Sequence, residues 1–327
     1  MGKFLDKNGL VYFWSKLKPI INSKATFTYQ NEGEVLDFPS SIKYTSIAYG
    51  NGRFVAISDG SDRVIYSDDC GEHWSEILTI SNRRWKKLRF VNNKFIAIST
   101  GTTNAVAISD DGLSWTYHNM PADCYWKDVT FGNGVYFIMS SNTNNGAISN
   151  DGETWTKVTL PTSYWKSACF GGGKFVVLGD SGLGCYSSDA STWTTTTLPS
   201  SAAWNSLCYA KGKFVAVAYG YNTGAMYSID GITWTPTTPP GGGYWSSIAY
   251  GNGKFVAVSS NNRNMVTQSA DGVTWETSEI LEHWSWDDVT YGKGTFVTIA
   301  SNRSKYALIR LNPCVNGLPF LIADKSN

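Results

Sequence analysis

The chain has 327 residues, and its 27 basic and 26 acidic side chains leave a formal net charge of +1 at neutral pH. No cluster of lysine or arginine marks a surface that tracks phosphates, so nucleic acid is not an expected partner. No apolar run approaches the roughly 18 residues that span a bilayer, and the first residues lack the apolar stretch of a signal peptide, so we expect synthesis in the cytoplasm without membrane insertion.

Residues 1–24 lie outside the repeated part of the sequence and predict a short amphipathic helix. Its apolar residues fall near one face: Leu10, Phe13, Trp14, Leu17 and Ile21. The stretch FLDKNGLVYFWSKLK resembles the N-terminal leader of bacteriophage tail and tail-fibre proteins from phages of Gram-positive gut bacteria. The resemblance implies a virion protein whose leader attaches to other tail or virion proteins or assembles a homo-oligomer. The alternative is a helix that caps the base of the protein's own fold.

Seven near-identical repeats follow, each opened by an aromatic residue. These residues recur at steps of 41, 41, 39, 39, 41 and 41: Tyr44, Trp85, Trp126, Trp165, Trp204, Trp245 and Trp286. Within the third repeat, the β-prone runs WKDVTFG, NGVYFIMSS, GAISNDG and TWTKVTLP are separated by glycine, asparagine and aspartate. A period of about 40 to 45 residues with four short strands is typical of a β-propeller blade. We therefore predict an all-β, seven-bladed β-propeller of four-stranded antiparallel blades over residues 25–311.

A second motif joins the third and fourth runs of six repeats. It reads SDDCGEHW, SDDGLSW, SNDGETW, SSDASTW, SIDGITW and SADGVTW. These stretches resemble the Asp-box, or BNR repeat. The resemblance implies a hairpin in which the aspartate and serine side chains bind backbone amides of the turn while the tryptophan packs between blades. Five of the six are one residue shorter than the usual motif, and Ala190 replaces the glycine in the fourth. The motif occurs in glycosidases, lectins and assembly factors, so it indicates fold rather than function.

The seventh repeat stops before a fourth strand. Aligning residues 38–49 with residues 198–209 places Phe38 where fourth strands end, so residues 26–38 are predicted to supply the missing strand. Such closure joins the two ends of the domain and removes exposed sheet edges. The remaining residues, 312–327, form a tail without a motif.

The face where the innermost strands begin is the predicted ligand site. The seven repeated aromatic residues start there, and the preceding loops add Tyr125, Tyr164 and Tyr244. Aromatic rings stack on sugars, while polar side chains bind the sugar hydroxyls, so we predict a lectin-like face for cell-surface carbohydrate. The residues that follow the aromatics vary from repeat to repeat, which is typical of a surface. The alternative is that the aromatics pack as wedges between blades.

Catalysis is the rival class of function. A glycoside hydrolase needs two carboxylates about 5 to 9.5 Å apart, and Asp128 could face Asp287 or Asp288 because repeats three and seven lie nearly opposite. The arginine triad of sialidases has no counterpart. Three histidines and six cysteines show no ligand spacing, so we expect no metal or cofactor and interpret the cysteines as small buried residues. The sequence favours a non-enzymatic binding module; a protein scaffold and a glycoside hydrolase are the alternatives.

Overall fold

The computed structural model describes residues 33–100, 105–220, 224–239, 243–260, 265–279, 285–300 and 305–309. Regular structure within them is β-strand. The predicted helix of residues 1–24 and the tail of residues 312–327 lie outside the described residues, so the domain boundaries stay predictions. Among the described residues we find no helix long and apolar enough to cross a membrane.

The strands are mostly four to eight residues long. In chain order they are β1 (Gly33–Asp37), β2 (Tyr44–Gly50), β3 (Arg53–Ser67), β4 (Ser75–Val91), β5 (Lys94–Ser99), β6 (Ala105–Ser109), β7 (Thr116–Asn119), β8 (Trp126–Gly132), β9 (Val135–Ser140), β10 (Asn145–Ser149), β11 (Thr156–Thr159), β12 (Trp165–Gly171), β13 (Lys174–Gly179), β14 (Leu183–Ser187), β15 (Thr194–Thr197), β16 (Ala203–Ala210), β17 (Lys213–Tyr219), β18 (Ala225–Ser228), β19 (Thr235–Thr237), β20 (Trp245–Gly251), β21 (Lys254–Ser259), β22 (Met265–Ser269), β23 (Glu276–Glu279), β24 (Asp288–Gly292), β25 (Thr295–Ala300) and β26 (Lys305–Ile309).

These strands pair into six antiparallel sheets. Five sheets have four strands each: β8 to β11, β12 to β15, β16 to β19, β20 to β23, and β24 to β26 with β1. The sixth has six strands, β2 to β7, and contains both the first and the second repeat. The described part of the chain therefore has six blades, and the prediction of seven separate four-stranded blades is wrong.

The long strand β4 explains the difference. Its residues 75–84 pair with β3, and its residues 85–91 pair with β5. The links that enter the third, fourth and fifth repeats contain Pro121, Pro161 and Pro199. Proline has no backbone N–H to donate, so it ends a strand there. The link after the first repeat has no proline, and the extended chain continues from one repeat into the next.

Strand β1 completes the sheet of the seventh repeat. It pairs antiparallel with β26, placing Gly33 opposite Ile309 and Asp37 opposite Lys305. The ammonium of Lys305 lies 2.8 Å from the Asp37 carboxylate. The predicted closing strand is thus present over Gly33–Asp37, whereas residues 26–32 lie outside the described part of the chain.

The hydrophobic core lies between neighbouring repeats. The described residues form seven apolar clusters, and each combines side chains from two consecutive repeats. One of them joins the seventh repeat to the first through Val297, Leu308, Phe38 and Tyr44. The strands that open the repeats contact one another in sequence, and β24 contacts β2. These strands therefore enclose a central channel.

The six predicted turns have the hydrogen bonds that the serine and aspartate side chains imply. In the third repeat, the Ser149 hydroxyl donates to Asp151 at 2.8 Å and accepts from the Gly152 N–H at 2.8 Å. One Asp151 oxygen accepts from the N–H groups of Glu153 and Thr154, both at 2.8 Å. The other five turns have a serine and an aspartate in the same roles. These side chains fix each hairpin locally.

Candidate functional site

The seven repeated aromatic residues are buried. Tyr44 is 1 % exposed, Trp204 is 2 % exposed, and the exposed fraction is 0 % for Trp85, Trp126, Trp165, Trp245 and Trp286. Trp126, for example, packs against Ile96 and Val106 of the preceding repeat. A ring without an exposed face cannot stack on a sugar. The structure therefore gives these seven residues the wedge-packing role that the sequence left as the alternative.

The three tyrosines that precede the buried aromatics have accessible rings. Tyr125 is 49 % exposed and Tyr164 is 62 % exposed, while Tyr244 is half-buried. The ring of Tyr244 meets that of Tyr219 edge-on, with centroids 5.0 Å apart. Tyr219, which is 45 % exposed, was missed by the sequence analysis. An alignment of the repeats could have drawn attention to Tyr219, because this exposed aromatic residue stands where the fourth repeat has Asp180.

A cavity of about 290 Å³ opens at the mouth of the channel. Its rim is formed by the residue that directly follows the repeated aromatic in each repeat. We call this set the upper ring: Thr45, Lys86, Lys127, Lys166, Asn205, Ser246 and Asp287. Tyr219 and Ser260 also line the cavity. The residues at these positions vary from repeat to repeat, and the structure places them on the surface of the cavity.

A β-bulge turns the upper-ring residues toward the channel. In β8 the pairing with β9 passes from Trp126 directly to Asp128, which leaves Lys127 without a partner residue. The same shift occurs in β2, β4, β12, β16 and β20. An extra residue in one strand re-aims its side chain out of the regular alternation between the faces of a sheet. Thus the aromatic residue enters the blade interface while its successor faces the cavity.

The upper ring is cationic on one side. Lys86 forms an ion pair with Asp59, and Lys166 lies 3.6 Å from Asp180. Lys127, between them in sequence order, makes no hydrogen bond or ion pair with the described residues, although its side chain reaches the cavity. The side chain of Lys127 is exposed at the cavity. The protein atoms around it lower its pKa first by partial desolvation and then through Lys87, Lys166 and Lys86, while Asp128 raises it.

A second layer lies one residue further along each strand, and its two carboxylates are buried. Asp128 accepts hydrogen bonds from the Arg89 guanidinium at 3.0 and 3.2 Å, from the Ser167 hydroxyl at 3.1 Å and from the Ala168 N–H at 3.1 Å. Burial alone would raise the pKa of Asp128, but Arg89 and Lys87 outweigh it and hold that pKa below its ordinary value. Asp128 thus links the second, third and fourth repeats.

Asp288 links the seventh repeat to the sixth and the first. It accepts from the Ser46 hydroxyl at 2.6 Å, from the Ser247 hydroxyl at 2.8 Å and from the Lys87 ammonium at 3.2 Å. Its burial is again outweighed, here chiefly by Lys87 and Arg89, so the pKa of Asp288 also lies below its ordinary value. Neither this carboxyl group nor that of Asp128 holds a proton at neutral pH. Asp128 and Asp288, one of the two catalytic pairs that the sequence suggested, therefore hold neighbouring repeats together.

The cysteines of the described residues are free thiols, and none is disulfide-bonded. Cys124 and Cys185 are buried, as expected. Cys169 and Cys208 are partly exposed as residues. Their thiols are surrounded by protein atoms, and this desolvation raises the pKa of each to about 12. The described part of the chain has no group of three or more histidine, cysteine or carboxylate side chains that could hold a metal ion.

Comparison with known proteins supports the architecture. A family model described as the DUF6242 beta propeller domain matches residues 163–287. The chain is a β-propeller. The crystal structure of virginiamycin B lyase from Staphylococcus aureus is similar to the propeller, with a TM-score of 0.76 and 12 % identity over 86 % of this chain and 99 % of that chain. No curated protein matches the sequence.

Two further solved structures are similar to the propeller. YCF48 from Cyanidioschyzon merolae has a TM-score of 0.66 and 13 % identity over 85 % of this chain and 99 % of that chain. A chain of the Mitotic Checkpoint Complex has a TM-score of 0.70 and 11 % identity over 88 % of this chain and 94 % of that chain. At such identities the likeness establishes the fold alone. The Asp-box and phage-leader resemblances stay predictions.

Proposed function

We propose that the propeller is a non-enzymatic binding module that recognises cell-surface glycan at the channel mouth. The supporting observation is the cavity of about 290 Å³, which combines the exposed ring of Tyr219 with hydroxyl, amide and ammonium groups of the upper ring. Its size lies near the lower limit for ligand pockets, which suits a terminal sugar unit. Tyr125 and Tyr164 offer further exposed rings for the rest of an extended chain.

The state of the carboxylates supports binding rather than hydrolysis. Glycoside hydrolysis requires a carboxylic acid that donates a proton and a second carboxylate that acts as base or nucleophile. Asp128 and Asp288 have lowered pKa values and are surrounded by donors, so neither is suited to deliver a proton. The third carboxylate that lines the cavity, Asp287, would need a second carboxylate as its partner for hydrolysis.

The proposed setting is a bacteriophage tail. This part of the proposal rests on the resemblance of residues 4–18 to phage tail leaders. Residues 1–24 would then attach the propeller to other virion proteins or assemble several copies, and several copies would strengthen a weak glycan contact through avidity. Removal of residues 1–24 should leave binding to a single immobilised sugar unchanged while reducing retention on whole bacterial cells.

Binding to a broad panel of bacterial wall saccharides tests the glycan assignment. The variant Tyr219→Ala should weaken binding by roughly tenfold, because it removes the stacking surface. Ile229→Ala is the matched control, since Ile229 belongs to the same repeat and is 73 % exposed at a turn. Undiminished binding by Tyr219→Ala, or turnover of any bound saccharide, would contradict the proposal.

A protein-binding scaffold is the second candidate function. It is favoured by the similarity to a solved structure of YCF48 bound to D1 peptide, which has a TM-score of 0.66. The same saccharide panel separates the two candidates. Absence of binding across the panel would favour the scaffold if another protein co-purifies with the chain and no longer does so with the Tyr219→Ala variant.

A further inference from the structure

We infer that the ligand bound at the channel mouth carries an acidic group, a carboxylate or a phosphate, and that this group binds against Lys127. The saccharide part of this inference rests on the proposed function. The anion site itself does not, because it follows from the charges and hydrogen bonds of the cavity.

Charged residues of both signs line the cavity. Five of them are cationic, namely Lys86, Lys87, Arg89, Lys127 and Lys166, and three are anionic, namely Asp128, Asp287 and Asp288. Two further carboxylates, Asp59 and Asp180, pair with Lys86 and Lys166 at the same mouth, so the two signs are equal in number and the site depends on how the charges are placed. A charge at a concave site that no protein group neutralises attracts a ligand group of opposite sign.

Four of the five cations already have carboxylate partners. Lys86 pairs with Asp59, Lys166 with Asp180, Lys87 with Asp288 and Arg89 with Asp128. Lys127 is the exception among the described residues. The nearest carboxylate in sequence, Asp128, accepts both of its strong ionic hydrogen bonds from Arg89.

The Lys127 side chain is exposed at the channel mouth and has no ion-pair partner among the described residues. The surrounding channel wall and then Lys87, Lys166 and Lys86 lower its pKa, while Asp128 acts in the opposite direction. A ligand carboxylate or phosphate would accept hydrogen bonds from the three N–H donors of Lys127 and offset this repulsion. Charge-assisted hydrogen bonds of this kind are stronger than neutral ones.

The opposite side of the mouth suits neutral sugar hydroxyls. The Thr45 hydroxyl donates to the Trp85 carbonyl at 2.9 Å, and the Ser246 hydroxyl donates to the Val258 carbonyl at 3.0 Å. Their protons are therefore engaged, while their lone pairs remain free to accept from a sugar. Asn205 makes no hydrogen bond with the described residues, and its amide can both donate and accept.

This asymmetry fixes one orientation for the ligand. The acidic group lies toward Lys127, between Lys86 and Lys166 in repeat order, and the hydroxyl groups lie toward Asn205, Ser246 and Thr45. A neutral saccharide would satisfy the second side of the mouth and leave Lys127 unpaired. Selectivity for acidic over neutral sugars follows.

A matched pair of saccharides and a sugar-free anion test the inference. The probes are trigalacturonate, its fully methyl-esterified form, and inorganic phosphate, each titrated calorimetrically into the full-length protein at low salt. We expect trigalacturonate to bind roughly tenfold more tightly than the ester, as one charge-assisted contact implies. Phosphate should also bind, more weakly at higher ionic strength.

Three variants at two lysines of the third repeat provide the comparison. Lys127→Met should abolish the preference for trigalacturonate and the binding of phosphate, and Lys127→Arg should retain both. Lys157→Met, which removes an equal charge from the exposed outer strand β11, should behave as the unsubstituted protein. Circular dichroism of each variant establishes that the fold is retained.

The outcomes separate the inference from the proposed function. Equal affinity for acid and ester, or an acid preference that survives in Lys127→Met, would overturn the inference while leaving glycan binding intact. Phosphate binding that depends on Lys127, in the absence of binding to any saccharide, would support the anion site and contradict the glycan assignment. Failure of all three probes to bind overturns the anion site.

Discussion

Lys127 and Arg89 are both basic residues of the channel, but their surroundings differ. Arg89 neutralises Asp128, which is buried, whereas Lys127 has no ion-pair partner among the described residues, and Lys87, Lys166 and Lys86 oppose its charge. Removing one member of a buried ion pair leaves an uncompensated charge in a region of low polarity. Removing an unpaired charge relieves repulsion. The two residues should therefore respond in opposite ways to substitution by methionine.

We expect Arg89→Met to lower the free energy of unfolding by about 3 kcal/mol, which is the lower end of the loss observed when one partner of a buried ion pair is removed. Lys127→Met should leave that free energy unchanged or raise it. Urea denaturation at pH 7 measures both. An equal loss of stability in the two variants would show that Lys127 has a partner within the fold.

The lowered pKa of Lys127 also has a consequence for pH dependence. Below its lowered pKa the ammonium is charged in both states, and its repulsion destabilises the folded protein in full. Between that pKa and the ordinary value of 10.5 the unfolded chain binds the proton more strongly, so stability rises with pH. Lys127→Met should flatten this rise, and Lys157→Met should not.

The turn aspartates also make stability rise with pH, but because the fold stabilises their charged form. Hydrogen bonds from the Thr154 N–H, the Ser149 hydroxyl and the Glu153 N–H lower the pKa of Asp151 to about 2 from an ordinary value of 3.8. Its stabilising contribution is present above the ordinary value and is lost as pH falls through about 2. Carboxyl NMR titration should find this midpoint, and Ser149→Ala should shift it upward. A midpoint already at the ordinary value would contradict the observed hydrogen bonds.

At the scale of strands and turns, glycines with the same backbone conformation differ in their surroundings. Gly272 and Gly253 have φ of 75° and 78°. A methyl group added at Gly272 would lie 2.6 Å from Val215, whereas one added at Gly253 would have no atom within 4 Å. The first is in a serine–aspartate turn against the neighbouring blade, and the second is in an exposed hairpin.

Substitution by alanine at these two positions separates backbone strain from steric conflict. Gly253→Ala should cost about 1 kcal/mol, the penalty for a side chain in the left-handed region. Gly272→Ala should cost about 2 kcal/mol more, because the added carbon also displaces a packed valine. Thermal unfolding of both variants provides the test. Equal losses would mean that the interface between blades relaxes without cost.

The strand boundaries show how far local sequence signals reach. The serine–aspartate turns and the glycine hairpins could be predicted because their geometry depends on residues within one turn. The fusion of the first two repeats was missed. The link after the sixth repeat also lacks proline, yet the sheets on either side of it are separate. The continuation of β4 depends on whether β3 extends far enough to pair with it, which is a non-local property.

At the scale of the whole molecule, closure depends on a strand from one end of the chain. Without β1, strand β26 would present an unpaired edge, and Val35 would be absent from the cluster between the sixth and seventh repeats. Exposed edges promote pairing with other chains. The ring should therefore be sensitive to loss of this short segment.

Two truncations test that dependence. A protein that begins at Phe38 lacks β1 and should lose on the order of 4 kcal/mol of stability, at about 1 kcal/mol for each of several ladder hydrogen bonds, and should aggregate. A protein that begins at Ala25 retains the strand and should unfold at the temperature of the full chain. Differential scanning calorimetry and gel filtration measure both. Equal behaviour of the two proteins would show that β1 does not close the ring.

The sequence by itself determined the propeller fold, the hairpin turns and the closing strand, because each depends on a repeated pattern or on contacts a few residues apart. Only the tertiary structure decided which side chains line the mouth of the channel. A β-bulge buries Trp126 and turns Lys127 toward the channel, and packing of the blades places Lys86 and Lys166 near that ammonium. The seven aromatics and the residues beside them are adjacent in sequence, so periodicity could not separate the residues of the core from those of the site.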